Sequence, residues 1–438
     1  MPSTRALRPA VWLLPAIALA VRLATVWILG EDGRLMGDSQ DYLDAARALA
    51  SGAPYPESSG LPFWRPPGYP SAIAAVWALL PGSVIAVLVV QCVLDVGGML
   101  LLGSMVRRAA GGGAAMVAQA WYAVYPPFLL HAATVQTETW FQVGLLGAAA
   151  LLVPPGRGAP GRGRVAGAGL VLGAITLVRP VGLLLVPLLI AWLALLRAGS
   201  APVQREVLRW AADGAILVVA FLVPILPWSS RVEARHGTRV LVNEAGWFNI
   251  WYTTTPAAQR AVWDPAGAQP ALDSLLTLEI PSMAGGWPPH TLAERKAFWK
   301  EQALAGIARD PWAFARYRLH GVWHTWRPWL TPGFYSPRAV AGSIALFLPW
   351  LVLGTLGLVE TWRRHPGARP LVGLVVSFAL VATASNLIGT PVIRYRIPLV
   401  DPYFVGMAGA WLAPRLVRNP WWRRWAPPEP PPSPSEAP

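Results

Sequence analysis

The sequence predicts an all-α polytopic membrane protein of about ten transmembrane helices, with outer surface helices and a mixed outer loop region. Three observations predict this. First, 54% of the 438 residues are hydrophobic and only 13% are charged, against roughly a quarter charged in soluble domains; mean hydropathy is +0.43. Second, apolar runs long enough to cross a bilayer recur along the chain, each needing roughly 20 residues at 1.5 Å apiece. Third, arginines crowd the connections on one side (Arg5, Arg8, Arg107, Arg108, Arg162, Arg164, Arg205, Arg209, Arg363, Arg364 and Arg415 among them), the bias that orients spans with their basic loops inside.

The runs lie at residues 10–29, 84–106, 112–131, 138–154, 165–178, 180–196, 209–228, 339–361, 370–389 and 396–413. The first is long, contains Arg22 and lacks a small-x-small cleavage site, so it reads as an uncleaved anchor. The fifth and sixth meet at Arg179-Pro180 as a tight helical pair. These runs divide the chain into an N-terminal membrane module (1–228, with a first outer loop at 30–83), a large outer region (229–338), C-terminal spans (339–413) and a proline-rich cytoplasmic tail (414–438). In the first outer loop, surface helices are expected at Asp41–Leu49 and Ser71–Leu80. The large outer region opens with β-prone residues, Arg239–Asn243 and Trp247–Thr255. Thr291-Leu-Ala-Glu294 is a capping box, and Asp310-Pro311 is an N-cap followed by proline at the first helical position.

The 24 Trp suit membrane–water interfaces, where an apolar ring and a polar N–H are both satisfied. The net charge of +14 does not point to nucleic acid, because its arginines line the cytoplasmic face, where anionic head groups lie. Cys92 is single and inside an apolar run, so no internal disulfide forms. No Cys-x-x-Cys or EF-hand spacing is present, and no metal site is claimed from the sequence. A divalent cation is compatible with the chemistry below, but no sequence feature supports one. No P-loop or dinucleotide glycine motif is present, which argues against a soluble nucleotide donor.

Ionisable residues at the outer boundary carry the functional signal. Gly37-Asp38-Ser-Gln-Asp41-Tyr42-Leu-Asp44 follows the first span. Asp38, closest to the membrane, is the candidate catalytic base or the N-cap of the next helix. Asp41 and Asp44 are expected on a solvated face, and Asp41, Tyr42 and Tyr69 are candidates for acceptor contact or structural support. Arg65 sits in Trp64-Arg65-Pro66-Pro67-Gly68-Tyr69-Pro70, where prolines fix the backbone and hold the side chain at low entropic cost. Glu138 opens the fourth span, as a helix start with Thr137 or as a functional carboxylate, since charges at membrane depth are costly. His131 reads as structural. Arg394 and Arg396 open the last span, and Arg179 lies at the junction of two others. Guanidinium groups bind phosphate in bidentate fashion, so these arginines are candidates for a lipid phosphate or for interfacial anchors. Asp95, mid-span, needs a buried partner, and Arg22 is the candidate.

Taken in order, these segments resemble the bacterial membrane glycosyltransferases of the protein O-mannosyltransferase and aminoarabinose-transferase type, in the glycosyltransferase C superfamily. The resemblance rests on Gly37-Asp38-x-x-x-Tyr42 with Ala46-Arg47-Ala-Leu-Ala-Ser-Gly52, Arg65–Pro70, Tyr125-Pro126 through Thr137-Glu138, Arg179-Pro180, Pro227-Trp228-Ser-Ser-Arg231 with Gly246–Asn249, and Arg394-Tyr-Arg396-Ile-Pro398. It implies a polyprenyl-phosphate sugar donor, a lipid, glycan or protein acceptor, and an active site on the outer face of the cytoplasmic membrane. In that reading Asp38 and Glu138 are catalytic, while Arg65, Arg394, Arg396 and Arg179 hold the donor phosphate. Where aminoarabinose transferases carry a soluble outer domain after the last span, the residues after the last run here are expected to form a short cytoplasmic tail. The alternative, a carrier or flippase for lipid-linked sugars, requires polar residues along the middle of several spans.

Overall fold

The computed structural model describes residues 7–56, 64–153, 159–197, 203–261, 265–275, 291–332, 335–389 and 393–417. The proline-rich end of the tail (418–438) and part of the Gly/Arg connection (154–158) fall outside these.

Helix α1 (Leu7–Ile28) leads through the short α2 (Gly30–Arg34) to α3 (Ser39–Ser51), and α4 (Gly68–Trp77) follows the proline turn. Both expected surface helices of the first outer loop are thus present. Helix α5 (Val84–Val124) covers the second run and most of the third, and it is interrupted at Gly111. There φ is +89°, a conformation open to glycine and strained for other residues. The third run does not continue to residue 131 as expected. Tyr125 leaves the helical region, and α6 (Pro126–Ala132) starts afresh with proline at its first position, because a proline disfavours helix at the residue before it.

The remaining membrane-facing helices are α7 (Glu138–Leu152), α8 (Arg162–Thr176), α9 (Gly182–Arg197) and α10 (Val203–His236). Between residues 229 and 338 come α11 (Ala245–Tyr252), α12 (Pro256–Ala261), α13 (Pro265–Ser274), α14 (Leu292–Arg309) and α15 (Pro311–Trp326). The chain ends with α16 (Pro337–Arg364), α17 (Arg369–Ile388) and α18 (Arg396–Val417). Helix thus occupies every expected apolar run. By length and composition, four helices among the described residues are apolar enough to cross a membrane: Val84–Val124, Arg205–His236, Pro337–Arg364 and Pro366–Ile388.

Both forecast caps in the outer region are made. Thr291 and Glu294 exchange the two hydrogen bonds of a capping box, and Asp310 accepts from Ala313 N at 2.8 Å. The β-prone stretch is a correction: Trp247–Tyr252 lies in α11, and 239–243 forms no strand. Phe248 and Trp251, one helical turn apart, pack on Trp299 of α14 with ring centroids at 5.0 and 4.8 Å, so aromatic burial settles the conformation there.

The helices close a ring in the order α1, α5, α7, α8, α10, α9, α17 and α18, with α18 returning to α5 and α16 packed on α18. Small residues bring them close, as spans require without a hydrophobic drive between them. A Cβ on Gly409 would meet the Ala114 backbone at 2.6 Å, and one on Gly169 would meet that of Leu217 at the same distance. Inside the ring, Asp95 is held as the sequence suggested. Arg22 Nε donates to it at 2.6 Å, Tyr122 Oη at 2.7 Å and Gln142 Nε2 at 3.2 Å. At one end of the bundle, Arg164 donates to the last carbonyls of α7 and Arg415 pairs with Glu360. The opposite end carries α3 and α4.

Candidate active site

Four chain segments converge at that opposite end, and three of them are tied down by contacts to backbone. Val135 N donates to Arg34 O at 3.0 Å, and Ser39 Oγ donates to Val135 O at 2.8 Å. These bonds lock the start of α3 to the α6–α7 connection. Gly68 N donates to Leu177 O at 2.8 Å, which pins the proline turn to the C-terminal end of α8. A Cβ at position 68 would lie 2.7 Å from the Leu177 backbone, so only glycine permits this approach. The fourth segment, the turn Ile393–Tyr395, precedes α18.

On this frame three carboxylates meet three guanidiniums. Arg65 donates from Nη2 to Asp38 Oδ1 at 2.8 Å and from Nε to Asp41 Oδ2 at 2.9 Å. Arg394 donates from Nε to Glu138 Oε1 and from Nη2 to Gln136 Oε1. Its Nη2 also reaches Glu138 Oε2 at 3.3 Å, and its Nη1 lies 3.8 Å from Asp38 Oδ2. Arg179 completes the set, donating from Nη1 to Glu138 Oε1 at 2.7 Å and to Thr137 Oγ1 at 2.9 Å. Arg394 therefore bridges the two carboxylates expected to be catalytic.

Asp38 takes the N-cap position of α3, yet its side chain makes no cap hydrogen bond; it turns to Arg65 instead. Its carboxylate is 32% exposed, whereas that of Glu138 is 1% exposed, so only Asp38 can be reached from outside. Asp41 is not on a solvated face as expected, because Arg65 takes its carboxylate inward. Asp44 is exposed and paired with Arg47 one turn on, as a surface residue should be. His131 Nδ1 lies 4.0 Å from Glu138.

The two tyrosines support the arginine. Tyr42 lies under Arg65, with the guanidinium carbon 6.0 Å from the ring centroid, and packs edge-on against Tyr69 at 5.1 Å. Burial, with Asp38 adding to it, pushes the Tyr42 phenol up to about 12, so it stays neutral. Tyr69 is fully buried and donates to Gln91 Oε1 at 2.6 Å. Burial works to lower the guanidiniums of Arg65 and Arg394, but their acidic neighbours outweigh it and hold both above the ordinary range. Both stay charged at any physiological pH.

Arg396 stands apart from this cluster. It is fully buried, donates to Asp401 Oδ1 at 3.0 Å and to Thr325 O at 3.0 Å, and stacks on Trp350 at 4.2 Å. Tyr125 Oη donates to the other Asp401 oxygen at 2.8 Å. The structure thus makes Arg396 a helix-packing residue, in place of the phosphate contact expected of it. Arg179 is at the centre. Sequence reasoning missed Gln136, which binds Arg394 and also donates to Met36 O, and Asp401, whose charge in an apolar run was the available signal. Among the described residues no group of three or more His, Cys, Asp or Glu side chains is placed to hold a metal ion.

A cavity of about 160 Å³ opens beside Arg65, lined by Tyr55, Trp64, Trp228, Arg231, Arg235 and His236 among others. Tyr55 Oη donates to Arg65 O at 3.0 Å, so the cavity wall is hydrogen-bonded to the backbone of a residue of the ion cluster.

The architecture matches solved structures. An archaeal oligosaccharyltransferase, AglB from Archaeoglobus fulgidus, superposes in its apo form with a TM-score of 0.54 at 13% identity, over 94% of this chain and 51% of that one. Its complex with an inhibitory peptide and a dolichol-phosphate gives 0.51 at the same identity. The chain shares the membrane fold of that archaeal enzyme. It spans about half the length of the archaeal enzyme. ArnT from Cupriavidus metallidurans, bound to undecaprenyl phosphate, matches with a TM-score of 0.42 at 16% identity, over 92% of this chain and 78% of that one. No family model matches the chain, and no curated protein does.

Proposed function

We propose that this glycosyltransferase C-fold chain is a membrane glycosyltransferase. It moves a sugar from a polyprenyl-phosphate donor to an acceptor hydroxyl at the outer face of the cytoplasmic membrane. The observation that carries this is the shared Arg394, which sets the reachable carboxylate of Asp38 beside two guanidiniums at the membrane end of the bundle. The archaeal enzyme of the same fold was solved with a dolichol-phosphate and a peptide, which supports a lipid-phosphate donor as the reaction class.

The reaction inverts the sugar carbon. The acceptor oxygen attacks C1 from the face opposite the phosphate, and its proton passes to Asp38. The C1–O bond breaks, and its electron pair goes to the departing polyprenyl phosphate. Arg65 keeps Asp38 Oδ1 occupied and leaves Oδ2 to take the proton, general-base work that suits a carboxylate. Arg394, the most exposed of the three arginines, meets the growing phosphate charge with Arg65 and Arg179 around it. Glu138 is a positioning residue: too buried to touch substrate, it fixes Arg394 and Arg179 at one oxygen. The acceptor enters through the aromatic cavity beside Arg65. The carrier reading requires polar residues along several spans, and it gains no support from Asp95, which Arg22, Tyr122 and Gln142 satisfy.

A deletion strain examined by lipidomics and glycan analysis tests this reading. Accumulation of a polyprenyl-phosphate sugar with loss of one glycan modification is expected. Unchanged lipid and glycan profiles would reject it.

A further inference from the structure

Helix α15 buries one guanidinium and one neutral imidazole that the ion cluster does not use. His324 and Arg327 are each 5% exposed. His324 Nε2 and Arg327 Nε have no hydrogen-bond partner among the described residues. Arg327 Nη2 donates to Thr331 Oγ1, and no carboxylate among the described residues pairs with either side chain. The His320 ring lies 4.4 Å from that of His324, adding a third nitrogen base to the same spot. Burial, with Arg327 and His320 adding to it, pushes His324 down to about 3. Buried cations are ordinarily paired, because an unpaired one keeps the full cost of leaving water.

The surroundings say where an anion would come from. Trp312, Leu319 and Trp323 are exposed and, at spacings of seven and four, share one face of α15. Trp323 packs against Trp329 at 5.6 Å. The helix also rests on the apolar α17, where Trp326 Nε1 donates to Thr383 Oγ1 at 3.0 Å and Asn386 Nδ2 donates to Thr325 Oγ1 at 2.7 Å. Exposed tryptophans on a helix against a span belong at head-group depth.

We infer that His324 and Arg327 form a site for the phosphate of an anionic membrane phospholipid, separate from the Asp38–Glu138 cluster. The acyl chains lie along the exposed Trp312–Trp323 face, and the head-group phosphate accepts from Arg327 Nε and His324 Nε2. This site does not depend on the glycosyltransferase reading, since neither residue contacts the ion cluster.

The test is thermal unfolding of the full-length protein in a neutral detergent, titrated separately with phosphatidylglycerol, undecaprenyl phosphate and inorganic phosphate. Wild type should gain a saturable rise in melting temperature with phosphatidylglycerol. Arg327→Gln should lose that rise, or need at least tenfold more lipid to reach it. His324→Gln should behave likewise and serves if the arginine variant does not fold. A rise with inorganic phosphate that also depends on Arg327 would support an oxyanion site whose affinity lies in the phosphate itself. A phosphatidylglycerol response equal in wild type and both variants would overturn the inference. So would an Arg327-dependent response to undecaprenyl phosphate alone, which would make this part of the donor site.

Discussion

Glutamine at position 138 keeps the side-chain shape and removes the one negative charge that Arg179 and Arg394 share. Glu138 accepts from Arg179 Nη1 at 2.7 Å and from two nitrogens of Arg394, and it is 1% exposed. A hydrogen bond to a charged group contributes about 1.5–3 kcal/mol net, and a neutral one about 0.5–1.5 kcal/mol. Each guanidinium therefore loses about 1 kcal/mol on the downgrade, and the two cations then repel without a carboxylate between them. Glu138→Gln should cost about 2–4 kcal/mol in all. Arg179→Gln alone should cost less, since Arg394 still holds Glu138. The double variant restores charge balance, so it should be more stable than the sum of the two singles by about 2 kcal/mol. Polytopic proteins often unfold irreversibly, so the assay is the unfolding half-life in detergent at one temperature. It is run on wild type, both single variants and the double; about 2 kcal/mol is roughly a 30-fold change in rate. Rates that multiply across the cycle to within about a factor of two would show that Glu138 and Arg179 do not act as a pair.

Other outcomes follow from the same geometry. Gly68→Ala places a methyl group 2.7 Å from the Leu177 backbone, so it should detach the proline turn and Arg65 from α8; transfer should fall by tenfold or more in a reconstituted assay. Arg394→Lys keeps the charge but cannot hold Glu138, Gln136 and a phosphate together, and turnover should drop by about tenfold. For orientation, cysteines at Ser274 and Ser200 in a Cys92→Ser background should separate cleanly in intact cells: an impermeant thiol reagent labels the first and spares the second. Equal labelling of both would reject an outer face for α13.

Much of the fold was legible because its signals are local. Run length located the apolar helices, and the caps at Thr291 and Asp310 are short local patterns with a fixed geometry. The Arg22–Asp95 pair could be named because a mid-span carboxylate must find a cation. Propensity failed at Trp247–Tyr252, where the strand tendency of aromatic residues yielded to a buried aromatic cluster. A period of three to four between Phe248 and Trp251 was the better signal. The third run broke at Tyr125-Pro126 because hydropathy does not register a backbone restriction.

The site was legible as a set of residues but not as a set of pairs. Arg394 and Arg396 are two residues apart and equal by sequence. The turn before α18 sends one to Glu138 and the other to Asp401, and only a buried acid five residues on hinted at the second. Likewise, Asp41 and Asp44 read alike, yet Arg65 reaches back to Asp41 across 24 positions. Which acid an arginine takes is a tertiary fact, set here by Gly68 against Leu177 and by Val135 against Arg34.

The most direct test of the proposed chemistry is turnover by purified Asp38→Asn protein with a polyprenyl-phosphate sugar. Asparagine keeps the size of the side chain and can still accept from Arg65, but it cannot take a proton from an acceptor hydroxyl. Transfer should fall by about 100-fold or more, as loss of a general base does, while the melting temperature stays near that of wild type. Asp44→Asn, on the exposed face of α3, should leave the rate unchanged. Turnover of Asp38→Asn within a few-fold of wild type would contradict Asp38 as the base.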